Sequence, residues 1–104
     1  MKSPAIDSYR IALETYCADG VESHLSTDLY YSSPWVNEIH GKTQFLTHLK
    51  SALQKMKVRQ IFPIMEIQGN RLSIKYEGFD HLKSFISFEI DEDKKIKRIS
   101  LSHC

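Results

Sequence analysis

Apolar residues along this chain keep two different periods, and the change falls just after Met56. Before it, Ile6, Tyr9, Leu13 and Tyr16 or Cys17 recur at helical spacing, and Phe45, Leu49, Ala52 or Leu53, and Met56 do so again. Each set makes one apolar stripe along a helix. Ser3-Pro4 supplies a cap and a first-position proline, and Asp19-Gly20 supplies a stop, which predicts a helix over 4–18. Val21 and Leu25 predict a short second helix at 21–26. Gly41 releases a third helix from Lys42 or Thr43, with Lys50, Gln54 and Lys55 facing water. Between the helices, Leu29-Tyr30-Tyr31 reads as a short aromatic strand halted by Ser32-Ser33-Pro34, and Val36 to Ile39 as a brief second one.

From Val58 onward the period is two. The run VRQIFPIMEIQ is strand-like and ends at Gly69-Asn70, a two-residue hairpin turn of the primed type. Leu72, Ile74 and Tyr76 alternate with Ser73, Lys75 and Glu77, and Gly78 and Asp80 mark a bend. Leu82, Ser84, Ile86, Phe88 and Ile90 then share one face of a long strand, opposite Lys83, Phe85, Ser87 and Glu89. The turn DEDKK leads to a last strand in which Ile99 and Leu101 alternate with polar residues. Helices first and meandering, mainly antiparallel strands afterwards define an α+β class, with helices packed on one face of a strongly bent sheet. No repeat, linker or low-complexity segment interrupts the chain, so residues 1–104 read as one domain.

Composition narrows the partners. A chain of 104 residues can bury a core without disulfides or metal. Fourteen basic and thirteen acidic side chains leave a net charge of +1, so no overall field calls for nucleic acid or an anionic membrane. The runs KMKVR and KKIKR read as solvated edges. Cys17 and Cys104 do not make a disulfide framework and are expected as reduced thiols. No apolar run approaches the ~18 residues of a membrane span, and MKSPAIDSYR has no signal-peptide core, so a cytoplasmic, soluble protein is expected. The histidines at 24, 40, 48, 81 and 103 lack metal-ligand spacing, and HGKTQ lacks the phosphate-loop glycine where Val36 stands. Neither a metal nor a cofactor is expected.

The order helix, short helix, YYSSP strand, Gly-Lys-led helix, Gly-Asn hairpin and two long strands resembles the nuclear transport factor 2-like superfamily. The resemblance spans nearly the whole chain and is nearest the SnoaL-like and ketosteroid isomerase-like branch. Its compact signature is the segment from Asp28 to Met56. It implies a conical half-barrel in which a bent mixed or antiparallel sheet, covered by about three N-terminal helices, encloses a deep apolar cavity. It also implies a homodimer formed through the outer face of the sheet. Phe85, an aromatic among Lys83, Ser87 and Glu89, points the same way.

Set against the ketosteroid isomerase pattern, Tyr9 falls where those enzymes carry an oxyanion donor. Ser33 stands where they carry the carboxylate base, and Ile86 where they carry a second acid. A serine hydroxyl cannot take a carbon-bound proton as a carboxylate does, and isoleucine donates nothing. Isomerisation by that mechanism is therefore not expected. The resemblance places Tyr9, Tyr16, Tyr31, Trp35 and Tyr76 on elements that wall the cavity, and apolar walls with a few polar handles make a ligand pocket. The candidate ligand contacts are Tyr9, Tyr31, Ser33, Trp35, Tyr76 and Ile86. Candidate catalytic groups are Tyr9, His48 at the border of the third helix's buried face, and His81 beside Asp80. The expected function is binding of a small, mostly apolar or aromatic molecule bearing a carbonyl or hydroxyl, with isomerase, cyclase, dehydratase and hydrolase as the reaction classes. The alternative is a non-catalytic dimeric interaction module whose cavity is plugged by its own side chains.

Overall fold

A computed structural model describes the backbone of residues 4–34, 38–76 and 79–103, and all their side chains except those of Tyr76, Phe79, Asp80, His81, Leu82 and His103. The elements are α1 (Pro4–Thr15), α2 (Asp19–Glu22), β1 (Leu25–Ser32), β2 (Ile39–His40), α3 (Lys42–Val58), β3 (Pro63–Gln68), β4 (Arg71–Tyr76), β5 (Phe79–Ile90) and β6 (Ile96–His103). The strands form one open mixed sheet in the order β2-β1-β6-β5-β4-β3. Strands β3 to β6 meander antiparallel, while β1 pairs parallel with β6. Register shifts interrupt the pairings of β1 with β6, β4 with β5 and β5 with β6, and such bulges bend a sheet. The expected α+β half-barrel is the fold observed.

Both long helices end by the same device. Tyr16 takes a left-handed φ of 56°, and the Cys17 amide donates to the Ala12 carbonyl at 3.1 Å. Gln60 takes φ 55°, and the Ile61 amide donates to the Met56 carbonyl at 2.9 Å. These are Schellman closures on residues other than glycine. They explain two departures from the sequence pattern. Helix α1 stops at Thr15, ahead of the Asp19-Gly20 stop signal, and those two residues open α2 instead. Helix α3 continues through Val58, where the two-residue period predicts the start of a strand. The two closures also meet: the Tyr16 hydroxyl donates to the Ile61 carbonyl at 2.6 Å.

Strand β1 is longer than its aromatic centre predicts. Leu25, expected on the second helix, pairs with Ile96, and Ser26 to Asp28 carry the strand across a register shift to Tyr30. Ser26 Oγ accepts the Asp28 amide at 3.3 Å, which satisfies a backbone donor inside the shift. Of the second strand expected from Val36 to Ile39, Ile39 lies in β2, while Val36, like Trp35, lies outside the described residues. The β3–β4 turn has positive φ at Gly69 alone, 62°, as a type II′ turn requires.

The core lies between the helices and the concave face of the sheet. Ile6, Tyr9 and Leu13 of α1 and Phe45, Leu49 and Leu53 of α3 are buried against Leu72, Ile74, Ile86, Phe88 and Ile99. Each such side chain contributes about 1.5–3 kcal/mol on leaving water. The sequence phase of β5 holds: Ser84, Ile86 and Phe88 are buried, and Lys83, Ser87 and Glu89 are exposed.

Gly41 hinges β2 onto α3 with φ 95° and ψ 145°; its amide donates to the Leu29 carbonyl at 2.7 Å, and its carbonyl accepts the Phe45 amide at 3.1 Å. Nothing lies within 4 Å of a β-carbon built there, so substitution meets backbone strain alone. Gly41→Ala is expected to cost about 1–3 kcal/mol. Gln60→Gly, which relieves a left-handed residue, is expected to gain about 0.5–1 kcal/mol. Urea unfolding of both variants checks the opposite signs.

Candidate functional site

A cavity of about 130 Å³ opens between the helices and the sheet. Its helical wall is Tyr9 and Leu13 from α1 with His48, Leu49 and Ala52 from α3; its sheet wall is Tyr31, Ile74, Ile86 and Leu101. The wall is therefore apolar except for two phenols and one imidazole. No carboxylate, lysine or arginine lines it among the described residues. Two larger hollows, of about 320 and 330 Å³, are mostly formed by charged and exposed side chains of the sheet, Glu89, Lys97 and Arg98 in one and Glu66 and Lys75 in the other. Of these three hollows, the smallest has ligand-like walls.

Ring packing fixes its geometry. The Tyr9 ring stands edge-on to Phe88 at 5.3 Å and lies near-parallel to Phe45 at 6.4 Å. Tyr31 packs 5.2 Å from both Phe45 and His48. Tyr9 and Tyr31 are 4% and 6% exposed, so each hydroxyl sits on a nearly fixed ring. His48 follows Phe45 by three residues and precedes Ala52 by four, which places all three on one side of α3. That spacing was the signal that could have placed His48 in the wall from sequence. Its pKa is held below the ordinary 6.5, first by burial and second by the positive charge of Lys55. The imidazole is therefore neutral near pH 7, with one nitrogen to donate and one to accept.

The other sequence-derived candidates are distributed as follows. Ile86 lines the cavity beside Tyr9 and Tyr31. Ser33 follows the end of β1, half-buried, and is not among the lining residues. Trp35 lies outside the described residues. Tyr76 ends β4 and His81 lies on β5, with their side chains outside the description. Tyr16 spends its hydroxyl on the Ile61 carbonyl. Sequence reasoning did not foresee a cluster on the outer face: Tyr30 donates to Glu38 at 2.8 Å, and His40 Nε2 lies 3.3 Å from the same carboxylate. The Tyr30 hydrogen bond is the main reason that the Glu38 pKa is lowered. Among the described residues, no group of histidine, cysteine and carboxylate side chains could hold a metal ion. No described helix is long and apolar enough to cross a membrane.

No family model and no curated protein matches the sequence. Solved structures do match in fold. A SnoaL-like protein of unknown function from Burkholderia thailandensis superposes with a TM-score of 0.74 at 15% identity, over 100% of this chain and 97% of that one. A nuclear transport factor 2-like protein of unknown function from Cytophaga hutchinsonii gives 0.66 at 14% identity, over 96% and 87%. A steroid delta-isomerase from Pseudomonas aeruginosa gives 0.70 at 15% identity, over 100% and 82%. The chain thus has the nuclear transport factor 2-like, SnoaL-like fold, and likeness at these identities is likeness of fold.

His48 links the cavity to stability. The folded protein holds the imidazole proton less tightly than the unfolded chain does, so the unfolded state binds more protons as pH falls through 6.5. The stabilising contribution is present above 6.5 and is lost toward the lower folded value. A His48→Gln variant is expected to lose less stability than the wild type on acidification through this window. Thermal unfolding across the window, with an NMR titration of the His48 ring that places its midpoint below 6.5, checks both halves.

Proposed function

We propose that this protein binds a small, mostly apolar molecule carrying one carbonyl or hydroxyl in the cavity between its helices and sheet. The observation that carries the reading is the wall itself, in which Tyr9, Tyr31 and His48 are the polar handles in an otherwise aliphatic lining. In this reading the Tyr9 hydroxyl donates to the ligand oxygen from a ring held between Phe45 and Phe88. The same set suits proton transfer next to a polarised carbonyl, with neutral His48 as the acceptor and a tyrosine hydroxyl on the oxygen. That chemistry is common to the isomerase, cyclase and dehydratase classes, and neutral His48 can equally activate a water for hydrolysis.

Native mass spectrometry of the purified protein tests the reading through a retained small molecule, and equilibrium binding of that molecule gives the comparison. Tyr9→Phe keeps the ring and the fold, and is expected to weaken binding by about 1 kcal/mol, or roughly fivefold. Unchanged affinity would remove Tyr9 from the site.

The reading includes a homodimer through the outer face of the sheet. Phe85 is half-buried there, with the Arg71 guanidinium 4.3 Å above its ring. Ser73 and Ser102 face it across the two neighbouring strands, and Ile64 farther along the sheet is 57% exposed. Small side chains around one aromatic leave a flat surface that a second copy can cover. Sedimentation is expected to give twice the 12.1 kDa chain mass, falling to one chain for Phe85→Glu.

A further inference from the structure

The volume and charge of the cavity limit its occupant more sharply than its wall chemistry does. An apolar cavity of ~150 Å³ holds one benzene molecule, and this one measures about 130 Å³. A fused ring system exceeds that volume, so it enters only by moving the wall or by leaving one ring outside the cavity mouth, and the wall is built from Tyr9, Leu49, Ile74 and Ile86, all buried in the core. Close-packed interiors resist such movement. A charged ligand meets a second obstacle, because no described lining residue carries an opposite charge and burying an unpaired carboxylate is costly. One polar atom on the ligand does find a partner, since the His48 imidazole lines the cavity beside Tyr31, with 5.2 Å between the two ring centres.

We infer that the cavity is a site for a single neutral six-membered ring bearing one hydroxyl or carbonyl, a phenol or a cyclic ketone, and that it excludes fused-ring molecules and ring carboxylates. The inference rests on the proposed ligand-binding reading and narrows it. The fold likeness to a steroid delta-isomerase therefore does not extend to a steroid-sized ligand. The residues that set the limit are Leu101 and Ala52 at the cavity edge, both only partly buried, because they can change size without opening the centre of the core.

Calorimetric titration near neutral pH with phenol, cyclohexenone, 2-naphthol and benzoate tests this directly. Phenol and cyclohexenone are expected to bind at least about tenfold more tightly than 2-naphthol or benzoate. Leu101→Ala is expected to raise the affinity for 2-naphthol relative to phenol about tenfold. His48→Leu should weaken phenol but not toluene, which has the ring without the oxygen. Wild-type protein that takes 2-naphthol or benzoate as tightly as phenol overturns the size or charge limit and leaves the ligand-binding reading standing. So does a Leu101→Ala variant that still binds phenol and whose preference for phenol over 2-naphthol is unchanged. Failure of every ring to bind at millimolar concentration overturns the ligand-binding reading and this inference with it.

Discussion

The packing of Tyr9 between Phe45 and Phe88 holds the helical layer to the sheet. One ring touches α3 on one side and β5 on the other, so the position of α1 is set by contacts to both. Tyr31 extends the same cluster to β1 through Phe45. Aromatic pairs at 5–6 Å are worth about 0.5–1.5 kcal/mol each beyond the area they bury, and here they also have a spacing role. Bulky, stiff rings hold the helices off the sheet at a fixed distance, and the space that the rings do not fill is the cavity. The polar handles of the site and its structural supports are thus the same residues, which ties ligand geometry to core packing.

That dual use explains how much was legible in the sequence. Helix α3, the Gly69-Asn70 turn and the inward phase of Ser84, Ile86 and Phe88 follow from local pattern, because periodicity and turn chemistry act over a few residues. Tyr9, Tyr31 and Ile86 follow from the family resemblance, and all three line the cavity. The helix ends were less legible. Tyr16 and Gln60 accept left-handed conformations that local preference assigns to glycine, and for Tyr16 the Ile61 carbonyl, 45 residues away, offsets the strain. No local signal carries such a contact.

The start of β1 departs from the sequence pattern for a related reason. Leu25 and Ser26, expected at the end of the second helix, lie in a strand because β6 supplies a parallel partner. His48 was read as bordering a buried face, and the structure makes that border the cavity wall. Whether an interface between two elements is filled or hollow depends on the sizes of side chains from several segments at once. The size of the cavity therefore could not be read from any one stretch of the chain.

The parallel pairing of β1 with β6 has a consequence for how the chain comes to be folded. It joins segments about 70 residues apart, and a contact across so long a loop forms late because closure entropy is lost before the contact is gained. During synthesis β1 has only the two-residue β2 beside it until β6 has been made. The β3–β4 hairpin, with its two-residue turn, can form from local contacts well before that. Leu101 joins Tyr31 on the sheet wall of the cavity only when this last strand docks. The cavity is therefore absent from the nascent chain and is complete only in the assembled domain.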